Sequence, residues 1–239
     1  MDEHSPGGKI YKITSISAQV NNPDRVNISV DGKYKFSLTI YQVVDLSVKI
    51  GSEYDEKGLA HLEQESQFGK LYSRALDYCL MRPHSSREVK DYLYKKTFTK
   101  RYVKKPIPNN NSAERRVVEV PGASQSVVDR VYDLLLKKGY VNDMKFAKWW
   151  AENRYLRKGA SRRKLESELS SKGVSTQIIS EVLAASVRTD EDELRKIIDK
   201  KRSRYEDPQK LIQYLARQGF SYEDIKNALE DDDSNYSVD

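Results

Sequence analysis

The sequence predicts a mainly α protein in which three tandem three-helix repeats form an elongated array behind a small antiparallel β module. Two patterns carry this expectation. Segments 85–93, 161–169 and 207–215 each open on an N-cap residue (Ser85, Ser161, Asp207), with an apolar residue four positions on (Val89, Leu165, Leu211) and a Leu eight on (Leu93, Leu169, Leu215). Such a cap satisfies orphan N–H groups, and the i, i+4, i+8 spacing gathers the apolar side chains on one helix face. Residues 9–40 alternate instead with a period of two and contain Asp31-Gly32, a dipeptide that suits a two-residue hairpin turn. Composition agrees: 38% of the 239 residues are apolar and 33% charged, so much of the surface stays wet, as in a stacked array.

Taken in order, residues 1–8 read as a disordered tail, and Asp2, Glu3 and Pro6 stand where a signal peptide needs a basic and then an apolar run. Residues 9–65 form the β module. In it Ile10, Lys12 and Thr14 alternate with Tyr11, Ile13 and Ser15, Val26, Ile28 and Val30 share a face, and Tyr34, Phe36 and Leu38 follow the turn. A short helix is expected before Gly51 and another entering at Asp55. Repeat one occupies 66–141, with a helix over 71–82, the 85–93 segment, and a helix capped by Ser124. An insertion at 98–123 interrupts it. There, two β-prone pieces flank Pro106, Pro108 and three asparagines, which reads either as a mobile basic hairpin or as a disordered loop. Repeat two occupies 142–188, with a first helix over 144–157, the 161–169 segment, and a Gly173-Val-Ser175 stop-and-cap leading to Ile179, Val182 and Leu183. Repeat three occupies 189–229, with a first helix over 193–204, and its Gly219-Phe-Ser221 unit follows 46 residues after its counterpart. Residues 230–239 read as an acidic disordered tail.

Lys and Arg number 42 against 36 Asp and Glu, and Glu230, Asp231, Asp232, Asp233 and Asp239 concentrate negative charge at the end, leaving +11 on residues 1–229. That bias favours polyanions, or proteins wrapped around them, as partners. The single cysteine, Cys79, fits a reducing compartment, with the cytosol as the default. No run approaches the roughly 18 apolar residues of a membrane span.

Catalytic readings find little support. His4, His61 and His84 are scattered, and none accompanies Cys79. No phosphate-binding Gly-Lys-Ser/Thr loop and no Cys-x-x-Cys pair occurs, so neither a cofactor nor a metal is expected. Cys79 lies in an apolar helical stretch and reads as a core thiol. Charge placed at helix ends is the positive signal. Arg154, Arg157 and Lys158 close the first helix of repeat two, while Arg162, Arg163 and Lys164 open the next across Gly159-Ala160. Cations in a first turn oppose the helix dipole, so these three point to an anionic ligand, the alternative being a solvated charged face. Lys200, Lys201, Arg202 and Arg204 end a helix in repeat three, followed by Arg217. Here the dipole alone accounts for the placement as well as a ligand does. The insertion adds Lys100, Arg101, Lys104, Lys105, Arg115 and Arg116. Of the two tryptophans, Trp150 shares helical spacing with Phe146 and reads as core, leaving Trp149 as the more exposed ring.

Several strings also carry a likeness: Arg82-Pro83 with Ser85, Glu88 and Val89; Gly139-Tyr140 with Asp143, Phe146, Ala147 and Trp150; Arg154 with Gly159; Glu168-Leu169 with Lys172, Gly173 and Val174; and Gly219-Phe220-Ser221 with Ile225, Ala228 and Leu229. In this order they resemble the RecX family of bacterial recombination regulators, over roughly residues 9–229. The stretch with Asn22-Pro23-Asp24-Arg25 and Asp31-Gly32 is similar to the leader of some members. The resemblance implies a non-enzymatic modulator that lies in the groove of the RecA recombinase filament and inhibits its ATPase and strand exchange; a monomer is expected. It implies too that the basic residues of repeats two and three are the contact surface. Independent binding to single- or double-stranded DNA is the alternative. The chain departs from the family pattern at the 98–123 insertion and at Gln218, where a second basic residue is common.

Overall fold

The computed structural model describes residues 9–104, 116–205 and 207–236. The expected tail at 1–8, the middle of the insertion with Lys105 and Arg115, and residues 237–239 lie outside these. The chain forms two compact units, Met1–Leu80 with Asp91–Lys138, and Met81–Lys90 with Gly139–Asp239.

In the first unit, strands β1 (Tyr11–Gln19), β2 (Asn22–Val30), β3 (Lys33–Thr39) and β4 (Glu53–Tyr54) make an antiparallel sheet in the order β3-β2-β1-β4. Val30 pairs with Lys33 across the predicted two-residue turn, and Asp31 and Gly32 take φ of 50° and 78°, the left-handed pair that such a turn requires. Ile13, Ile28, Val30, Phe36 and Leu38 pack against Val48, Leu59 and Leu62. Helix α1 (Ile40–Asp45) is fixed by a reciprocal cap between Thr39 and Gln42.

Helix α2 (Glu56–Met81) corrects two expectations, the module boundary at 65 and a repeat-one helix beginning at 71. One 26-residue helix covers the sheet with its first half and serves the repeat with its second. The reason is tertiary. Leu59 and Leu62 are buried on the sheet, the Gln42 side chain donates to Glu65 O at 2.6 Å, and Ser66 Oγ donates to Ser37 O at 2.7 Å, so the turns around residue 65 are held helical from outside. After α3 (Ser86–Tyr94), strands β5 (Lys100–Lys104) and β6 (Arg116–Val120) pair antiparallel from Lys100↔Val120 to Lys104↔Arg116. The described ends of the insertion are therefore a hairpin. Helix α4 (Gln125–Lys137), capped by Ser124 as predicted, is tied to α2 by Arg130 Nη1 on Glu65 Oε1 at 2.7 Å.

The second unit holds two helix triplets: α5 (Asp143–Asn153), α6 (Arg162–Ser171) and α7 (Thr176–Ala184), then α8 (Asp190–Lys201), α9 (Pro208–Arg217) and α10 (Tyr222–Tyr236). Phe146, Trp150, Leu165, Leu169 and Ile179 centre the first core, and Leu194, Ile198, Leu211, Leu215 and Ile225 the second. Ser161, Ser175 and Asp207 cap as expected. Helix α5 ends at Asn153, four residues before the expected 157, because Arg154 is extended and Tyr155 takes φ 55°. Helix α10 runs through residues 230–236, where a disordered tail was expected. No Gly or Pro follows Tyr222, and extending a nucleated helix is far easier than starting one.

Candidate functional site

The middle helices of the repeats are joined by one repeated device. Ser85, at the N-terminus of α3, donates Oγ to Lys172 O at 2.8 Å, the carbonyl of the residue that ends α6. Ser161, which caps α6, donates to Gln218 O at 2.7 Å, the corresponding residue at the end of α9. Beside each, the first backbone N–H of the middle helix donates to an Asp opening the next triplet, Ser86 N to Asp143 Oδ1 at 2.7 Å and Arg162 N to Asp190 Oδ1 at 2.6 Å. The third position of each joint reverses its charge. Glu88 accepts from Lys172 Nζ at 2.9 Å, whereas Lys164 Nζ donates to Gln218 Oε1 at 2.6 Å. An amide at 218 thus supplies the acceptor that Lys164 needs; a basic side chain there would repel it. Burial pushes the Glu88 carboxyl up, but hydrogen bonds and charge from Arg82 and Lys172 outweigh this and leave it below its ordinary value.

The turn between α5 and α6 carries the predicted basic corner. Gly159, at φ 78°, is packed so closely on α8 that a Cβ would lie 2.5 Å from Glu193 O. Ala160 N donates to Glu193 Oε2 at 3.1 Å. Glu193, 1% exposed, also accepts from Arg188 Nε at 3.0 Å, Arg188 Nη2 at 2.6 Å and Lys196 Nζ at 2.6 Å, and Arg188 Nη1 donates to the carbonyls of Ala151 and Arg154 at 2.6 and 2.8 Å. Burial raises the Glu193 carboxyl, but these donors and their charges hold it below its ordinary value. The turn is therefore bolted to repeat three.

On this frame Arg157, Lys158, Arg162 and Arg163 are exposed, and none forms an ion pair with a described carboxylate. The other two predicted cations turn inward. Arg154 pairs with Glu168 at 3.1 Å, donates to Tyr155 Oη at 2.8 Å and lies over the Trp150 and Tyr155 rings at 4.9 and 4.1 Å. Lys164 meets Gln218 and sits 4.6 Å from the Tyr155 ring centre. Trp150 is core and its Nε1 donates to Glu168 at 3.0 Å, while Trp149 is half-buried beneath the Arg82 guanidinium at 5.3 Å.

Of the remaining predicted cations, Arg217 is exposed at the end of α9, which docks on the first turn of α6; a Cβ on Gly219 would lie 3.6 Å from Arg163 Cβ. The fold thus brings the end of α9, on which Arg217 lies, against the start of α6. Lys200, Lys201, Arg202 and Arg204 end α8 and its short 3-10 extension, roughly 12 Å along the axis from Glu193 at 1.5 Å per residue. Lys200 and Arg204 are exposed, and Lys201 lies over Tyr214 at 5.7 Å. In the hairpin, Lys100 and Arg101 are exposed, Arg101 pairs with Glu119 at 2.7 Å, and Lys104 and Arg116 are directly opposite in register.

In the sequence Ser85 and Ser161 read as caps and Asp143 as part of the family likeness, while Arg188, Glu193 and Asp190 carry no assigned role. The recurrence of Asp143 and Asp190, each first in its triplet, was a signal available in the sequence. Cys79 is buried, and burial pushes its thiol up, which opposes reactivity. Among the described residues no helix is long and apolar enough to cross a membrane.

Comparison with known proteins finds the chain similar to regulatory proteins. Residues 11–55 match the family described as regulatory protein RecX N-terminal domain, 142–183 the RecX second three-helix domain, and 190–229 the RecX third three-helix domain. Curated relatives include the regulatory protein RecX of Bacillus licheniformis, 31% identical over 230 residues that cover 92% of this chain and 77% of the relative. That of Clostridium tetani is 29% identical, over 92% of this chain and 94% of its own. A crystal structure of regulatory protein RecX superposes with a TM-score of 0.63 at 22% identity, covering 91% of this chain and 99% of that one. RecX from Lactobacillus salivarius gives 0.50 at 18% identity, over 69% and 96%. At these identities the two structures speak to the fold.

Proposed function

The chain belongs to the RecX family of regulatory proteins, and from that premise we propose that it restrains a RecA-type recombinase by lying on the nucleoprotein filament and inhibiting its ATPase and strand exchange. One observation carries the reading. Arg157, Lys158, Arg162 and Arg163 are exposed without a described carboxylate partner, around a turn that Gly159, Glu193 and Arg188 hold rigid. Arg162 and Arg163 sit in the first turn of α6, where cations work against the helix dipole. An anionic partner, either acidic filament protein or the DNA within it, compensates that cost. The surface is preformed, so little ordering is lost on binding. The protein acts by occupancy, in the cytosol where such filaments form, and needs no cofactor. Lys200, Arg204 and Arg217, also exposed in this unit, add to the charge offered to such a partner.

The test is recombinase ATPase on single-stranded DNA, with and without the full chain. Inhibition at stoichiometric protein is expected, weakening as salt rises, because released counterions make such binding salt-dependent. The triple variant Arg157→Gln, Arg162→Gln, Arg163→Gln should keep wild-type helix content and inhibit at least tenfold less well. Absence of inhibition at stoichiometric excess, alongside tight binding to bare DNA, would overturn the proposal.

A further inference from the structure

The first unit carries a basic pocket that no charge run in the sequence discloses, because its cations come from three separate segments. A cleft of about 340 Å³ lies between α2 and the base of the β5–β6 hairpin. Lys70 and Arg74, one turn apart on α2, line it together with Lys96, just past α3, and Lys100, which opens β5. Among the described residues lining it there is no Asp or Glu. Ala123 N donates to Lys96 O at 2.9 Å and fastens the hairpin base in place, and Lys96 Nζ rests 4.3 Å from the Tyr92 ring centre. Phe98 also lines the cleft; it is 52% exposed and meets Tyr94 edge-on at 5.0 Å.

A further cation adds to the imbalance. Arg25, 7% exposed on β2, donates Nη2 to Ser37 O at 2.7 Å and to Ser37 Oγ at 3.1 Å, yet its buried Nη1 has no hydrogen-bond partner. Desolvation, then the charges of Arg25 and Arg74, hold the Lys70 ammonium below its usual range. Burial, together with the charge of Arg74, lowers Arg25 in the same way. No described carboxylate forms an ion pair with Arg25, Lys70 or Arg74. Three mutually repelling cations destabilise the free protein, and an anion from outside would relieve the repulsion.

We infer that the cleft lined by Lys70, Arg74, Lys96, Lys100 and Phe98 binds the phosphodiester backbone of single-stranded nucleic acid, with the cations on successive phosphates and a base stacked on Phe98. Four cations spread over a cleft of this size suit a chain of phosphates better than one small anion. The exposed ring offers a stacking face that only an unpaired base can use. This activity goes beyond the filament reading and requires no recombinase.

The experiment measures binding of the full chain to a fluorescein-labelled oligo-dT by anisotropy across a salt series, with no recombinase present. Lys70→Gln with Arg74→Gln should weaken binding at least tenfold. It should also flatten the log–log salt dependence by about 1.4, at roughly 0.7 for each phosphate that is no longer neutralised. Phe98→Ala should weaken binding about tenfold with the slope unchanged, the signature of missing base stacking. The double variant should melt no lower than wild type, since a repulsion has been removed. Lys100→Gln, on an exposed strand, gives a second variant that leaves the helix untouched and should weaken binding about threefold by the same counterion-release argument.

An unchanged affinity and slope in both charge variants would overturn the inference. So would displacement of the oligonucleotide by millimolar inorganic phosphate, which would reveal a free-anion site, or tighter binding to duplex than to single strand. Recombinase inhibition measured on the same variants separates the two proposals, because inhibition can persist when oligonucleotide binding is abolished, and the reverse.

Discussion

Replacing Arg188 with Met tests the joint that holds the basic turn. The substitution keeps most of the apolar stem but removes four hydrogen bonds, two to Glu193 and one each to the carbonyls of Ala151 and Arg154. The Arg188 and Glu193 side chains are only 9% and 2% exposed, so water cannot take the place of the missing donors. Glu193 would retain Lys196 and Ala160 N–H alone. Breaking a buried pair from one side costs about 3–5 kcal/mol. With an m-value of about 2 kcal/mol/M, the urea midpoint falls by about 1.5–2.5 M. Both tryptophans, Trp149 and Trp150, lie in α5, so intrinsic fluorescence reads this unit directly. Adding Glu193→Leu to Arg188→Met should restore part of the loss, because it removes the stranded carboxylate. Acid provides a second readout. The folded Glu193 carboxyl is held below its ordinary 4.5. The pair's contribution is therefore complete at neutral pH and is lost as pH falls below 4.5 through the depressed folded value. Arg188→Met should shrink this acid dependence. A single variant within about 1 kcal/mol of wild type, or a double variant less stable than the single, would refute the reasoning.

Three further outcomes follow from the same geometry. Gly219→Ala forces a side chain onto φ 96° and puts its Cβ 2.6 Å from Ser161 Oγ; the left-handed backbone alone costs about 1–2 kcal/mol, and a urea melt should show at least that loss. Arg154→Lys keeps the charge but loses the planar stack on Trp150 and Tyr155, so stability should fall by about 1–2 kcal/mol with a shift in tryptophan emission; an unchanged emission maximum would count against the stack. Burial of Cys79, with its thiol pushed up, predicts labelling by a thiol reagent at pH 8 at least a hundredfold slower in the native protein than in urea, and equal rates would contradict the burial.

Short-range chemistry carried much of the architecture. Asp31-Gly32 specified its hairpin because few other dipeptides tolerate two left-handed residues in succession. Ser124, Ser161, Ser175 and Asp207 specified helix starts because a short side-chain oxygen reaches its own helix's N–H groups. The basic corner at Arg157 to Arg163 was equally visible, since its residues lie close together in the chain. Where the sequence reading missed, longer-range interactions had decided. Residues 56–81 became one helix because Gln42 and Ser37, far back in the chain, hold its middle turns. Arg154 and Lys164 turn away from the exposed cations of that corner because Glu168 and Gln218 offer them partners within the fold.

By itself, then, the sequence determined the repeat plan, the caps and stops, and the charge bias, all of which depend on residues within a turn or two of one another. Only the tertiary structure decided which cations remain free. A cation's role is set by whichever carboxylate, carbonyl or ring the fold brings within hydrogen-bond range. The partners here lie 14 residues away for Arg154 and 54 for Lys164. Lys70, Arg74, Lys96 and Lys100 are likewise scattered along the chain and become one basic cleft only when α2 and the hairpin base close around it.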